Sequence, residues 1–305
     1  MRQENSRPIP IAVVGAGRFG KKHVERCAEQ SRAVLAAIVD PDGEAEALAR
    51  RHGARWFRSV GDLPPGLVRA ATVAVPWTAH YEVGSALLRA GIDVLIEKPI
   101  ALRLRDADAL IALARAHGRV LQVGHVERFN PAVLAVPAGV SPSAIRAVRR
   151  GPAPRHDRTR DIVLDLMIHD IELIIHWIGA MPVAVAARGE TSASSDVDWA
   201  EATLQFPDGR RAVLLAERGT PLRHATIESP AGPLHIDLLA RGTRHGSIPL
   251  PAFDRDALSA QIDAFLGAVE QRSIPVVSGE QGRAALEVAL QVQRCVVERR
   301  NHPAA

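Results

Sequence analysis

In this 305-residue chain, Glu97 and Lys98 form a pair whose residue types and position could allow them to transfer a proton. They follow the apolar run 94–96 and precede Pro99, and Lys98 is one of only three lysines in the chain. A half-buried lysine beside a cation has its charged form disfavoured, so it can share a proton with a substrate hydroxyl. The structural alternative is an ordinary solvated ion pair at the end of a strand.

Asp165 and His169 form a second pair with chemical potential. They lie four positions apart in the sequence, which places both on one face of a predicted helix, with Asp161 one turn earlier. An imidazole can remove a hydroxyl proton while a hydride leaves the same carbon, and a nearby carboxylate can orient the ring. A metal site and a plain polar helix face are alternatives. The residues that could supply a third metal ligand are Asp170, Glu172 and His176, but none has convincing spacing, and we predict no metal.

A glycine-rich turn indicates where the hydride acceptor would bind. The apolar run 11–14 leads into Gly15-x-Gly17-x-x-Gly20, a helix-like stretch follows, and a second apolar run ends in Asp40. Strand, glycine turn, helix, strand and acid occur in this order in dinucleotide-binding units. The first glycine permits the tight turn, the second admits the pyrophosphate, and the third lets the helix pack closely. An ordinary strand-to-helix turn is the alternative.

Asp40 also indicates which dinucleotide is bound. A carboxylate at this position accepts hydrogen bonds from the adenosine ribose diol and repels the 2′-phosphate of NADP. Pro41 and Asp42 follow it, with no adjacent arginine to bind a phosphate. We therefore predict NAD, with NADP as the alternative, and count Arg18 and Phe19 of the glycine turn among the cofactor contacts. Asp40 could also be a simple turn residue.

The composition narrows the class of protein. The chain is 47% hydrophobic and 24% charged, as in globular proteins, and no apolar run reaches the ~20 residues of a membrane span. Cys27 and Cys295 are the only cysteines, which fits a reducing compartment.

The segment before the first apolar run, residues 1–8, is short and polar, and it contains no apolar stretch of the kind found in a signal peptide. The net charge of +4 is compatible with an anionic small substrate. With only 4% aromatic residues, the composition is not that of a surface that binds nucleic acid. We expect a cytoplasmic protein that binds no nucleic acid and does not span a membrane.

The order of the predicted elements indicates two domains. Strands and helices alternate through residues 1–123, which predicts a doubly wound parallel sheet in a dinucleotide-binding domain. A helix over 162–177 and then a run of strands predict a second, α+β domain over 124–305, with an open and mainly antiparallel sheet. Residues 207–209 read as a hairpin turn between two of these strands. The last helix is a candidate to pack back on the first domain.

The chain resembles the Gfo/Idh/MocA family of NAD(P)-dependent oxidoreductases over nearly its whole length. Five motifs carry the resemblance in order: GAGRFGKKH at 15–23, VAVPWTAH at 73–80, EKP at 97–99, GHVERFNPA at 124–132 and DIVLDLMIHDIE at 161–172. The family implies a Rossmann domain followed by an α/β domain whose open sheet often mediates oligomers. We therefore expect a homodimer or homotetramer assembled through the second sheet.

The resemblance also implies roles for particular residues. Lys98 and His169 match the catalytic lysine and histidine of the family, and Asp165 matches the acid one turn before the histidine. Glu97 matches the acid near the nicotinamide ribose. The loop that passes the nicotinamide is matched by Pro76 and His80.

The last two motifs are similar to those of bacterial members that oxidise the 3-hydroxyl of UDP-N-acetylglucosamine. This similarity implies a nucleotide-sugar dehydrogenase; the alternatives are a free-sugar or cyclitol dehydrogenase of the same family and a non-catalytic dinucleotide-binding sensor. His125 departs from the Tyr or Asn of many members, which leaves its substrate contacts open. Residues 155–160 form a basic segment that could hold a diphosphate or be a solvated loop. The predicted substrate contacts are His125, Arg128, Asn130 and Arg160.

Overall fold

The computed structural model of the chain describes residues 7–152, 161–191, 197–251 and 253–301. The chain divides into two compact units, one of residues 1–126 and 258–283 and the other of residues 127–257 and 284–305. The first continuous segment of this unit thus ends at residue 126, where the sequence predicts a boundary at 123. The unit also includes residues 258–283, which the sequence analysis assigns to the second domain.

A six-stranded parallel sheet forms the first unit. Its strands are β1 (Ile9–Val14), β2 (Ala33–Val39), β3 (Arg55–Phe57), β4 (Ala70–Val73), β5 (Asp93–Glu97) and β6 (Leu121–Gly124). The helices between them are α1 (Arg18–Ala28), α2 (Glu44–Arg51), α3 (His80–Arg89) and α4 (Leu104–Ala116). The strand order is β3-β2-β1-β4-β5-β6, so the chain reverses its direction of winding between β1 and β4. The predicted doubly wound parallel sheet is confirmed, and ligands bind such sheets at this reversal.

The core of the first unit explains why its strands read as unbroken apolar runs. Both faces of a parallel sheet are covered, so successive residues such as Ala12 and Val13 in β1 are fully buried. A further helix, α7 (Ala257–Gln271), contributes Ile262 and Phe265 to the same core cluster. This helix belongs to the first unit, as do the first residues of the last helix, α8 (Gly279–Asn301).

The second unit is built on an eight-stranded sheet. Its strands are β7 (Ala144–Gly151), β8 (Ala184–Thr191), β9 (Val197–Gln205), β10 (Arg211–Arg218), β11 (Leu222–Glu228), β12 (Leu234–Asp237), β13 (Gly242–His245) and β14 (Ile248–Pro249). The order is β14-β13-β12-β11-β7-β10-β9-β8, and every neighbouring pair is antiparallel except β7 with β10. The predicted open, mainly antiparallel sheet is confirmed. Strands β9 and β10 form the predicted hairpin, in which Gly209 adopts φ +85°.

Strand β7 is the main element that the sequence analysis missed. Its inward positions, Ile145, Ala147 and Arg149, alternate with outward ones as in any strand, and all three are buried. The arginine in an inward position breaks the apolar alternation by which a strand is recognised. A short helix, α5 (Pro131–Leu134), and the helix α6 (Ile168–Ile178) also belong to this unit, as does α8 from residue 284 onward. Within the described ranges, no helix is long and apolar enough to cross a bilayer.

Candidate active site

The glycine turn after β1 is shaped by close backbone packing. Gly15 adopts φ +91°, and a Cβ there would lie 2.7 Å from the carbonyl oxygen of Ala74, in the loop after β4. A Cβ on Gly20 would overlap the carbonyl oxygen of Gly15. A Cβ on Gly17, in contrast, would meet no atom of the described residues within 4 Å. Two of the three glycines are therefore required by the turn itself, whereas Gly17 faces open space.

The start of α1 has the properties of an anion-binding site. Gly17 occupies the cap position, no side chain of the described residues caps the helix, and the first turn contains no acidic residue. Its first backbone N–H groups thus remain available and the positive end of the helix dipole is not neutralised. Gly17, Arg18 and Phe19 are all exposed. This arrangement fits the pyrophosphate of a dinucleotide.

Asp40 stands at the end of β2 beside the glycine turn. Its Oδ2 accepts a hydrogen bond of 2.6 Å from the backbone N–H of Ala16, and its Oδ1 accepts one of 2.8 Å from that of Asp42. The side chain is half-buried. Each carboxylate oxygen has a second acceptor direction, so the group can still receive hydrogen bonds from a ribose diol.

Pro76 lies in the loop after β4, and His80 is the first residue of the helix that follows it, α3. Pro76 is exposed and precedes a single 3₁₀ turn, whereas the His80 ring is fully buried between two loops. Its Nδ1 lies 2.7 Å from the Pro99 carbonyl oxygen and its Nε2 lies 3.1 Å from that of Val75. Burial lowers the pKa of His80, and the bond to Pro99 offsets only part of this effect. In the described chain, His80 therefore holds the loops after β4 and β5 together.

Glu97 and Lys98 lie where β5 ends, at the same edge of the sheet. Glu97 is the last residue of the strand and is buried, and its Oε1 lies 3.0 Å from Nε2 of His23 in α1. Lys98 is half-buried, with Nζ 5.7 Å from the centroid of the Trp77 ring. His23 was not among the predicted site residues, although it belongs to the glycine motif.

In the second unit, a π-helical turn at Val163–Met167 runs directly into α6. Asp161 caps this turn: its Oδ1 accepts hydrogen bonds from the backbone N–H groups of Val163 (2.8 Å) and Leu164 (3.1 Å). Its Oδ2 accepts a third bond, of 3.1 Å, from the N–H of Val197. The carboxylate of Asp161 thus accepts hydrogen bonds from the backbone at the start of the helix. The sequence had suggested that it lies beside Asp165 and His169 on one helix face.

Asp165 lies within the π-helical turn and His169 lies in the first turn of α6. Both side chains are half-buried. Arg218, the last residue of β10, donates a hydrogen bond of 2.8 Å from Nη1 to Oδ2 of Asp165. Single π-helical turns inside α-helices occur frequently at functional sites. Arg218 is a residue that sequence reasoning missed.

A buried ionic network fixes the helix that carries His169. Arg149 of β7 is 1% exposed; it binds Asp170 through Nε (2.9 Å) and Nη2 (2.7 Å) and Glu127 through Nη1 (2.8 Å). Burial alone would lower the pKa of Arg149, but the carboxylates of Asp170 and Glu127 hold it above its usual range. Because Asp170 follows His169 directly, this network ties the start of α6 to the central strand of the sheet.

The predicted substrate contacts of the second unit also take part in internal hydrogen bonds. Nη1 of Arg128 donates to Oε1 of Glu172 over 2.7 Å, at a side-chain exposure of 9%. The amide of Asn130 donates to Oε2 of Glu127 (2.8 Å) and to the Leu238 carbonyl oxygen (2.9 Å), and accepts from the N–H of Ala132. Asn130 therefore shapes this loop.

The two remaining predicted substrate contacts are His125 and Arg160. His125 is buried, directly after β6, and belongs to the first unit. Arg160, with the whole basic segment 155–160, lies outside the described residues. Contact of any of these residues with a substrate stays a prediction.

The carboxylates considered as third metal ligands have cationic partners. Asp170 is bound by Arg149 and Glu172 by Arg128. Burial raises the pKa of Glu172 to about 7, and Arg128 opposes this effect only in part. In the part of the chain that the structure describes, no group of three or more histidine, cysteine or carboxylate side chains could hold a metal ion.

Comparisons with known proteins match both parts of the chain. Residues 9–125 match the oxidoreductase family with an NAD-binding Rossmann fold, and residues 143–232 match the GFO/IDH/MocA C-terminal domain. The chain is 34% identical to UDP-N-acetylglucosamine 3-dehydrogenase of Acidithiobacillus ferrooxidans, with 93% of this chain and 96% of the relative covered. A solved structure of the dehydrogenase of that name and organism superposes with a TM-score of 0.89 at 32% identity, over 95% of this chain and 98% of the other. Inositol 2-dehydrogenase of Rhizobium meliloti is 26% identical, with 96% and 98% covered.

Proposed function

The chain belongs to the Gfo/Idh/MocA family, and we propose that it is an NAD-dependent dehydrogenase that oxidises the 3-hydroxyl of a UDP-N-acetylhexosamine. The family makes it an NAD(P)-dependent oxidoreductase. The observation that carries the narrower proposal is the 34% identity to a UDP-N-acetylglucosamine 3-dehydrogenase along 93% of the chain. The motifs around Asn130 and His169 are the part of the sequence that supports this narrower proposal.

The first unit fits the cofactor at two points. The free N–H groups of α1 and the open space over Gly17 would receive the diphosphate. Asp40 would receive the adenosine ribose diol, and its charge would disfavour a 2′-phosphate, so we propose NAD over NADP. NAD, when bound, supplies the hydride acceptor.

His169 and Lys98 are the proposed proton-handling residues. His169 removes the proton of the substrate hydroxyl, because a neutral imidazole is a suitable base near neutral pH. Lys98, as an ammonium group, can donate a hydrogen bond to a hydroxyl oxygen and stabilise the negative charge that develops there. Asp165, which accepts a hydrogen bond from Arg218, orients the imidazole ring of His169.

The substrate assignment is tested by comparing initial rates of NAD reduction with UDP-N-acetylglucosamine and with free N-acetylglucosamine at equal concentration. We expect the nucleotide sugar to react at least about 100-fold faster, because each charge-assisted contact with a diphosphate that is lost weakens the complex substantially. Equal rates, or a faster reaction of the free sugar, would contradict the nucleotide-sugar proposal and leave the dehydrogenase assignment in place.

A cyclitol is the second candidate substrate, because an inositol 2-dehydrogenase matches 96% of the chain. A cyclitol has no phosphate and needs no cationic binding groups. The same rate measurement therefore includes myo-inositol as a third arm. Rapid oxidation of myo-inositol without turnover of the nucleotide sugar would select this alternative.

We also propose that the chain forms a homodimer or homotetramer through the second sheet. One face of this sheet is buried, and alternate residues point to the other face. On that outer face Val148 and Leu215 are cross-strand partners, and Val213 and Trp199 are half-buried. Apolar residues grouped on a sheet surface are typical of protein interfaces. Light scattering should give a multiple of the 32.8 kDa chain mass for the wild type and the chain mass itself for Leu215→Arg; a monomeric wild type would contradict the proposal.

A further inference from the structure

The buried contact between His23 and Glu97 has no role in the proposed chemistry as described so far. His23 is 0% exposed and Glu97 is 7% exposed, and Nε2 of the ring lies 3.0 Å from Oε1 of the carboxylate. His23 lies in α1, shortly after the glycine turn, whereas Glu97 ends β5 directly before Lys98. The contact therefore joins the element that carries the glycine turn to the strand that carries the lysine.

The Glu97 carboxylate packs closely against Gly124. A Cβ on Gly124 would lie 2.5 Å from Oε1 and 2.8 Å from Oε2, so only glycine leaves room for the carboxylate there. Nε2 of Gln261, on α7, also approaches Oε1 at 3.5 Å. Among the described residues, no group donates a hydrogen bond to Oε2. The two oxygens therefore differ in their hydrogen bonding: Oε1 has polar partners, and Oε2 keeps its acceptor capacity.

The His23 ring is defined by this one polar contact. Because an ionised carboxylate only accepts hydrogen bonds, Nε2 must be the donor. The other nitrogen, Nδ1, is buried and makes no hydrogen bond to the described residues, and the edge of the ring packs against Phe19 with centroids 5.2 Å apart. An apolar side chain would fill this space without leaving a buried nitrogen unsatisfied, which costs stability. The imidazole is therefore explained by its bond to Glu97 and not by packing.

We propose that His23 is a positioning residue that holds Glu97 so that Oε2 receives a hydroxyl of the ribose attached to the nicotinamide. This inference rests on the proposed use of a nicotinamide dinucleotide. The adenosine half of the cofactor would be bound by Asp40 and the glycine turn, so His23 should affect one half of the cofactor only. That selectivity separates a positioning role from a general contribution to folding.

The test is calorimetric measurement of dissociation constants for NAD and for ADP, which contains the adenosine and diphosphate but no second ribose. His23→Leu should weaken NAD about ten-fold and change ADP less than two-fold, as expected for one lost hydrogen bond to a charged group. His23→Gln, whose amide can donate to Glu97, should recover most of the loss. Parallel losses for NAD and ADP, or no change for NAD, would overturn the proposal.

Glu97→Gln with His23 intact provides a second test that does not depend on the folding of the leucine variant. It should weaken NAD selectively in the same way, and adding His23→Leu to it should cause no further loss, because His23 acts through Glu97. Additive losses would show that His23 acts by another route and would overturn the proposal. Failure of the wild-type protein to bind either NAD or ADP would instead refute the cofactor proposal itself.

Discussion

The carboxylate of Asp40 accepts the backbone N–H of Ala16, in the glycine turn, over 2.6 Å. The residue that is expected to select the cofactor is thus also part of the structure of the turn that binds it. Its second oxygen accepts the N–H of Asp42, which fixes the rotation of the carboxylate. Loss of the charge and loss of the hydrogen-bond acceptor therefore have different consequences, and two substitutions can separate them.

Asp40→Asn keeps an acceptor for the N–H of Ala16 but removes the charge, whereas Asp40→Ala removes both. We expect both variants to lower the preference for NAD over NADP, because repulsion of the 2′-phosphate is lost. Asp40→Ala should weaken ADP more than Asp40→Asn does, since the turn also loses its support. Dissociation constants for the three ligands test this prediction, and an unchanged NAD-to-NADP ratio in both variants would remove Asp40 from the adenosine site.

The glycines of the turn provide a second prediction. Gly17→Ala should fold with a melting temperature close to that of the wild type, because the added methyl group meets nothing within 4 Å, yet it should weaken NAD at least about ten-fold by obstructing the diphosphate. Gly20→Ala should lower the melting temperature, because its Cβ would overlap the Gly15 carbonyl oxygen. Tight NAD binding by Gly17→Ala would show that the open space over Gly17 is not the diphosphate site.

The parts of the site that the sequence predicts are those fixed by local pattern. The glycine turn follows β1, Asp40 follows β2 and Glu97 ends β5 because each stands where an apolar run stops, and such ends share one edge of a parallel sheet. The partners of these residues were not predictable in this way. His23 and Glu97 are 74 residues apart, and Arg218 and Asp165 are 53 apart. Such contacts depend on strand order and register, which one sequence does not encode locally.

The π-helical turn at Val163–Met167 is a further feature that the sequence did not predict. Its apolar pattern is that of an ordinary helix, and the deviation occurs where Asp161 caps the turn and where Gly151 leaves space for Leu166. The turn is thus a product of tertiary packing against the ends of β7 and β10. Arg149 was missed for a related reason: a buried arginine reads as a surface residue unless its two carboxylate partners are known.

Lys98→Ala and His169→Ala should each reduce turnover by about 10²- to 10⁴-fold, the range for a positioned acid or base. If both act in one chemical step, the double variant should be little worse than the poorer single variant, because the effects of residues that act as a unit are not additive. His169→Ala should bind NAD like the wild type, since His169 belongs to the second unit. Steady-state rates and NAD affinities test this, and near-normal turnover in either single variant would contradict the assigned role.

Arg218→Leu should reduce kcat about ten-fold or more while leaving the dissociation constant of NAD unchanged, because Arg218 holds Asp165 in place within the second unit. Arg218→Lys keeps the charge but lacks the planar fork, so we expect it to recover only part of the rate. Arg188→Leu is the matched control, because Arg188 pairs with Glu201 on the same sheet and its side chain is 64% exposed. Equal reductions in kcat by Arg218→Leu and Arg188→Leu would show that the hydrogen bond between Arg218 and Asp165 does not contribute to turnover.

Glu172 should make stability depend on pH in the direction opposite to that of an ordinary ion-paired carboxylate. Its pKa is raised from 4.5 to about 7 by burial, so the folded state binds its proton more tightly than the unfolded state does. The associated stability is present below the unfolded pKa and is lost as the pH rises through the folded pKa. Between pH 4.5 and about 7 the loss is on the order of 3 kcal/mol.

Glu172→Gln should abolish this contribution, because an amide does not titrate. Denaturant unfolding at pH 5 and pH 8 provides the free energies, and the quantity to compare is the wild-type value minus the variant value at each pH. We expect this difference to fall from pH 5 to pH 8. Glu228→Gln serves as the control, because Glu228 is exposed and no such fall is expected there. A difference that stays constant or rises with pH would show that Glu172 is ionised in the folded protein and stabilised by Arg128, in the manner of a conventional buried ion pair.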